Sequence, residues 1–171
     1  LLDTYMKNRF IVLFDHSYDP LNTGWQQTRS LLTLGGGRIF GQGLFRGTQT
    51  QSEAAPSLPH RHTDFIFSVI GEELGLVGAC IIMLIFAMLL VRGFWIALHA
   101  RDRFGTLLVV GIMTQLGLQV FLNIAVVSGL VPATGISLPF FSYGGTALLM
   151  QLGEMGIILS ISRDIPTKKA R

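Results

Sequence analysis

The sequence predicts an all-α fold: a polytopic membrane helix bundle carrying a large loop outside the lipid. Three observations predict it. Half of the 171 residues are hydrophobic and only 13% are charged, against about 25% in a soluble domain. Mean hydropathy is +0.53. Three windows, at about 65–91, 104–131 and 140–161, approach or exceed the ~20 apolar residues that a spanning helix needs. The net charge of +3 is mild, which argues against a nucleic-acid binder, where basic residues crowd a polar domain.

The first element, residues 1–63, is expected as an extracytoplasmic loop that follows a preceding transmembrane helix. It opens LLDTYMKNRF with no initiator Met and no signal-peptide architecture, so it reads as a piece of a longer protein. Leu1 and Leu2 would end the earlier span. The loop is rich in turn residues, DPLNTGW and then LGGGRIFGQGLFRGTQ. Its glycines permit positive φ and close backbone approach. WQQTRSLLTL (25–34) is expected to form a short interfacial helix with Leu31, Leu32 and Leu34 against lipid or protein. Irregular backbone at membrane depth must be covered by protein or line a polar cavity, so the loop is expected to pack over the bundle.

Next come the spans, residues 64–162, and a tail, 163–171. Arg92, Arg101 and Arg103 lie between the first two spans, and Arg163, Lys168, Lys169 and Arg171 after the third. The turn VPATGISLPFFSYGG carries no Lys or Arg. The positive-inside rule makes the short basic loop and the C-terminus cytoplasmic. Residues 1–63 also hold six cations: Lys7, Arg9, Arg29, Arg38, Arg46 and Arg61. Long segments translocate largely regardless of charge. These cations are either solvated and in contact with headgroups, or they meet an anionic ligand such as a phosphate ester.

Polar residues inside the spans are the candidates for function. Asp64, Ser68 and Glu72 are spaced four apart and share one helix face, with Glu73 one step round. Intramembrane carboxylates mark a cavity or a functional site. Against that, Asp64 is placed to cap a helix, and Glu72 and Glu73 to pair with an Arg of another helix. Gln115, Gln119 and Asn123 form a second four-spaced stripe, suited either to interhelical hydrogen bonds or to lining a substrate groove. Gly71 and Gly75 have the spacing that lets helices pack closely. Cys80, the only cysteine, reads as a small buried hydrophobe. His60, His62 and Asp64 alternate as ligands would, but a dedicated metal site needs a further fixed ligand that the spacing lacks. GGGRIFGQG lacks the Gly-Lys-Ser/Thr ending of a phosphate loop. No GxSxG motif is present.

The stretches DPLNTGWQQTRSLLTLGGGRIFGQGLFRGTQTQ, LPHRHTDFIFSVIGEELGLVG, NIAVVSGLVPATGISLPFFSYGG and GIILSISR resemble, in order, the SEDS family of shape, elongation, division and sporulation proteins. HTDFIF followed by GEELG, and LPFFSYGG, carry most of that resemblance. It implies the C-terminal part of a ten-helix fold. It also implies a peptidoglycan glycosyltransferase of the bacterial cell membrane that polymerises lipid II and works with a class B penicillin-binding protein in an elongation or division complex. Asp64, the acid of HTDFIF, is then the catalytic residue, a general base toward the acceptor sugar's hydroxyl. Arg29, Arg46 and Arg61 are the substrate-binding cations for the pyrophosphate, and Glu72, Glu73, Gln115, Gln119 and Asn123 are expected to shape the substrate cavity. A divalent cation, Mg2+ or Mn2+, would arrive with the pyrophosphate. GTQTQ leans toward the elongation branch, RodA. His60 stands where the family often has an acid, SEAAPS lengthens the loop, and Glu154 replaces a small or apolar residue. A lipid II flippase, or a scaffold for the penicillin-binding protein, is the alternative. Residues 1–171 alone are expected to be inactive.

Overall fold

A computed structural model describes residues 23–44, 46–47, 65–132 and 134–165, with side chains from residue 27 onward. Among them there is no strand. Four helices follow one another: α1 (Thr23–Gly36), α2 (Ile66–His99), α3 (Arg103–Val127) and α4 (Gly145–Arg163). The last three are long and apolar enough to cross a membrane.

The helices pack as a bundle built on the α2–α3 pair. Phe86, Ile82 and Ala79 of α2 join Leu116 and Val120 of α3 in one apolar cluster, which Phe65, Phe67 and Leu138 extend outward. A second cluster, at the other end, joins Ile96 and Ala97 to Val109, Ile112, Met113 and Ile158 of α4. The outer faces stay apolar: Leu84, Ile85, Met88, Leu149 and Leu152 are exposed, as expected of helices whose solvent is lipid. Cys80 is exposed too. It faces outward from α2 rather than into the core, because the inward face at that level is taken by its neighbours Ala79 and Ile82.

The helix limits differ from the sequence windows for local reasons. α2 runs past Arg92 to His99. The Arg92 guanidinium lies 4.3 Å from the Trp95 ring centre, and the His99 ring stacks on Trp95 with the ring centres 4.3 Å apart. Such pairs carry a helix through an interface. α3 stops at Val127, short of Val131. Gly129 takes φ 74°, its N–H donates to the Val126 carbonyl, and Leu130 N–H donates to Ala125. This is a glycine-ended Schellman stop. α4 begins at Gly145 instead of Phe140. Leu138–Ser142 is a turn closed in both directions, by Ser142 N–H on the Leu138 carbonyl and by Leu138 N–H on Ser142 Oγ at 2.8 Å. Phe140 sits at φ 63°, and its N–H is taken by Gln151 Oε1 of α4 at 2.9 Å.

Candidate functional site

Buried polarity gathers where α1 crosses the start of α2 and the end of α3. α1 is longer than the sequence stretch at both ends. Gln27, Ser30 and Thr33, three apart, form its buried face, while Leu31 and Leu32 point outward, Leu32 at 55% exposure. In water this pattern would be inside out. Against lipid it is the economical one, because polar side chains gain partners between helices and leucines lose nothing outside. Ser30 is the hub. Its Oγ donates to the Val127 carbonyl of α3 at 3.3 Å and lies 2.7 Å from Ser68 Oγ of α2. With its one proton committed, Ser30 accepts from Ser68. Gln27 Nε2 reaches the Val131 carbonyl at 3.5 Å. On the same face of α3, four residues before Val127, Asn123 is buried and donates to the Ile136 carbonyl at 2.8 Å.

Four residues beyond Ser68, Glu72 is fully buried. A Cβ placed on Gly36 would lie 3.3 Å from Gln42 Nε2 and 4.0 Å from Glu72 Oε1. The end of α1, Gln42 and Glu72 therefore share one polar interior. Gln42 Nε2 also donates to the Gly36 carbonyl at 3.0 Å, satisfying a carbonyl that the end of α1 leaves open.

Immediately after these carboxylates α2 breaks. Gly75 has φ 69° and ψ −170°, a conformation that glycine alone adopts cheaply. The glycine-rich segment enters the break. Gln42 N–H donates to the Glu72 carbonyl at 2.9 Å and Gly43 N–H to Glu73 at 3.0 Å, while Leu76 N–H donates to Arg38 at 3.0 Å and Val77 N–H to Ile39 at 3.2 Å. The sequence expectation that this loop packs over the bundle is met in a more specific form. The expectation for Gly75 is corrected. It is a backbone break whose partner is the loop, not a seat for a neighbouring helix. A Cβ on Gly41 would strike the Glu73 carbonyl, and one on Gly37 the Gly71 carbonyl. Backbone meets backbone here with no room between.

The residues singled out in the sequence divide between several places. Ser68 and Glu72 share the buried face, as their spacing requires, and Glu73 is half-buried beside them. Asn123 is buried, whereas Gln119 is partly exposed and Gln115 exposed, so the stripe on α3 enters the interior only at its last member. Arg29 is partly exposed on α1, and Arg38 and Arg46 are exposed on the glycine segment. Asp64, Arg61, His60 and His62 lie outside the described residues. No three His, Cys, Asp or Glu side chains converge among the described residues. Two hollows lie elsewhere: a groove of ≈470 Å³ along Leu84, Met88, Arg92 and Trp95 of α2, and one of ≈270 Å³ between the start of α3 and the end of α4. The sequence reading overlooked Ser30 and Gln42. The three-residue spacing of Gln27, Ser30 and Thr33 was the signal for the first. Nothing local signalled the second.

Residues 1–166 match the family model described as "Cell cycle protein", that of FtsW, RodA and SpoVE. The chain belongs to this family. Over 92% of its length it is 48% identical to a protein of Geobacter metallireducens named "Probable peptidoglycan glycosyltransferase FtsW". Over 94% it is 44% identical to "Peptidoglycan glycosyltransferase MrdB" of Escherichia coli K12, and over 85% it is 46% identical to "Stage V sporulation protein E" of Bacillus subtilis. It spans only about two fifths of these relatives, 41%, 43% and 38% of their lengths. Among solved structures, one described as "Structural coordination of polymerization and crosslinking by a peptidoglycan synthase complex" superposes with a TM-score of 0.74 at 34% identity, covering 96% of this chain and 43% of that one. An aspartate-to-alanine mutant of the Thermus thermophilus rod shape determining protein RodA gives a TM-score of 0.61 at 35% identity, covering 76% and 40%. The all-α SEDS fold and the multi-pass membrane character follow. FtsW, MrdB and SpoVE lie within 44–48% identity, so the lean toward the elongation branch is not singled out.

Proposed function

We propose that the full-length protein is a peptidoglycan glycosyltransferase that polymerises lipid II on the outer face of the bacterial cell membrane, together with a class B penicillin-binding protein. One observation carries this reading. Relatives that match almost the whole chain, at 44% and 48% identity, bear that activity in their names. The structure supports it with a buried polar face, Ser68 to Glu72, on the helix that begins within HTDFIF.

In this reading Asp64 accepts the proton of the acceptor sugar's hydroxyl as that oxygen attacks the donor's anomeric carbon. The prenyl tail stays in lipid and the sugars in water, so the base belongs at the interface. Arg29, Arg46 and Arg61 offset the charge gathering on the departing pyrophosphate. Mg2+ or Mn2+, held by the pyrophosphate, would assist that departure. Residues 1–63 lie outside and the tail inside. Glu72, being fully buried, shapes the interior next to the substrate.

The broken span gives a transporter reading one argument, since interrupted helices line many transport paths. Four backbone hydrogen bonds close this break, which favours a fixed site over an opening one. The test is polymerisation of labelled lipid II by the full-length protein with its penicillin-binding partner, crosslinking blocked. Wild type is compared with Asp64→Asn at matched folding and partner binding. We expect a loss of at least ~100-fold, the scale of a general base. Equal glycan from both proteins removes Asp64 from the chemistry. Loss of lipid II translocation without loss of polymerisation supports the flippase, and retention of both supports the scaffold.

A further inference from the structure

The four bonds at the Gly75 break have a specific arithmetic. In an uninterrupted helix Leu76 N–H would donate to the Glu72 carbonyl, and Val77 N–H to Glu73, each four residues back. In the glycine segment the same four-residue step pairs Gln42 N–H with Arg38 and Gly43 N–H with Ile39. The structure has swapped these partners. Gln42 and Gly43 donate to Glu72 and Glu73, and Leu76 and Val77 donate to Arg38 and Ile39. The segment carries a helix-like turn of its own in Gly41 N–H to the Gly37 carbonyl at 2.7 Å. Two helical rungs from each strand have been exchanged for two crossed pairs.

The geometry points to a positioning device: the exchanged rungs lock the loop that carries Arg38 and Arg46 to the helix end that carries Glu72 and Glu73, with Gly75 and Gly41 as its positioning residues. Several observations converge on this. Gly75 and Gly41 both take positive φ, 69° and 79°, and each stands where a Cβ would meet the other strand's backbone. Arg38 is itself held at φ 49°, a conformation unfavourable for a non-glycine residue, and its carbonyl is one of the four acceptors. Gln42 fastens the same segment to α1 through its side chain. The exchange conserves hydrogen bonds. If α2 closed its own rungs and the segment closed its own, the count would be unchanged. The competing arrangement is a continuous α2 with the segment closed only on itself. Glycine at 75 tips the balance, because a helical interior disfavours it and the break requires it.

This inference rests on the polymerase reading only for its consequence in activity; the junction itself is tested separately. The experiment is single-residue amide hydrogen exchange on the full-length protein in lipid nanodiscs, with wild type, Gly75→Ala and Gly41→Ala. In wild type the amides of Gln42, Gly43, Leu76 and Val77 should all be slow. In Gly75→Ala, Leu76 and Val77 should stay slow on their restored rungs while Gln42 and Gly43 speed up at least ~10-fold. Gly41→Ala should give the same split from the other strand, which covers the case in which the first variant does not fold. Fast exchange at Gln42 and Gly43 in wild type would overturn the junction. Acceleration of all four amides together, or of none, would overturn the exchange. In the lipid II assay kcat of Gly75→Ala should fall with KM held, because the loop is misplaced and not removed. If wild type makes no glycan, the polymerase reading fails while the exchange pattern still decides the junction.

Discussion

The two ends of the bundle are built on different principles. At the end where α1 crosses α2, the contacts are polar side chains and bare backbone: Ser30 on Ser68, the glycine segment in the Gly75 break, and Asn123 on the following turn. At the other end α2, α3 and α4 meet through Ile96, Ala97, Ile112, Met113 and Ile158, on unbroken helices. Both ends have a glycine contact, and here the contrast is sharpest. A Cβ on Gly37 would run into the carbonyl of Gly71, whereas a Cβ on Gly93 would meet the side chain of Met113. Backbone that is already hydrogen-bonded cannot give way, but a thioether has three rotatable bonds with which to do so. The lesson is that the polar end is specified atom by atom, while the apolar end is specified by volume.

That contrast can be broken or sharpened by substitution. Gly37→Val should have the largest effect, about 1–3 kcal/mol or outright loss of the folded protein. Thermal unfolding in detergent checks it, and a Tm equal to wild type would deny the backbone contact. Ser30→Ala strips Ser68 of its acceptor and Val127 of its donor, and should cost about 1–3 kcal/mol by denaturant titration. Ser68→Ala leaves Ser30 bonded to Val127 and should cost less, about 1 kcal/mol. An equal cost for the two would show that Ser30 is not the hub. At the apolar end Gly93→Ala should cost about 1 kcal/mol or less once Met113 repacks; a loss as large as that of Gly37→Val would erase the distinction. Gln115→Leu should be the mildest, within ±0.5 kcal/mol, with glycan synthesis unchanged. A fall in synthesis without a fall in Tm would instead place Gln115 in a substrate groove.

How far the fold could be read in advance depended on how local its causes are. The three spans were legible because long apolar runs have few other uses. The stop of α3 was also legible, since Ser128 and Gly129 are an ordinary C-terminal signal, yet hydropathy carried the expected end on to Val131. The shared face of Ser68 and Glu72 followed from helical spacing alone. The outward Leu31 and Leu32 of α1 accord with the expected contact with lipid or protein, whereas its polar face was harder to read because Gln27 and Ser30 find their partners on distant parts of the chain. LPFFSYGG looked helical because it is apolar, but Ser142 and Gln151 hold it as a turn. Asp64, Arg61 and the adjacent histidines lie outside the described residues, so their placement rests on the motif.

The sequence by itself determined the membrane character, the three spans found among the described residues and the family, and it named a candidate acid, because hydropathy and motif order are properties of the chain read along its length. Only the tertiary structure decided that Gly75 is a break and not a packing notch, that residues 38–43 fill it, and that Ser30, Gln42 and Glu72 border one interior. The physical reason is the reach of the forces. Helix formation and lipid preference are set within a few turns, but an exchanged hydrogen bond has its donor and acceptor thirty or thirty-eight residues apart. No local pattern records which carbonyl an amide will find.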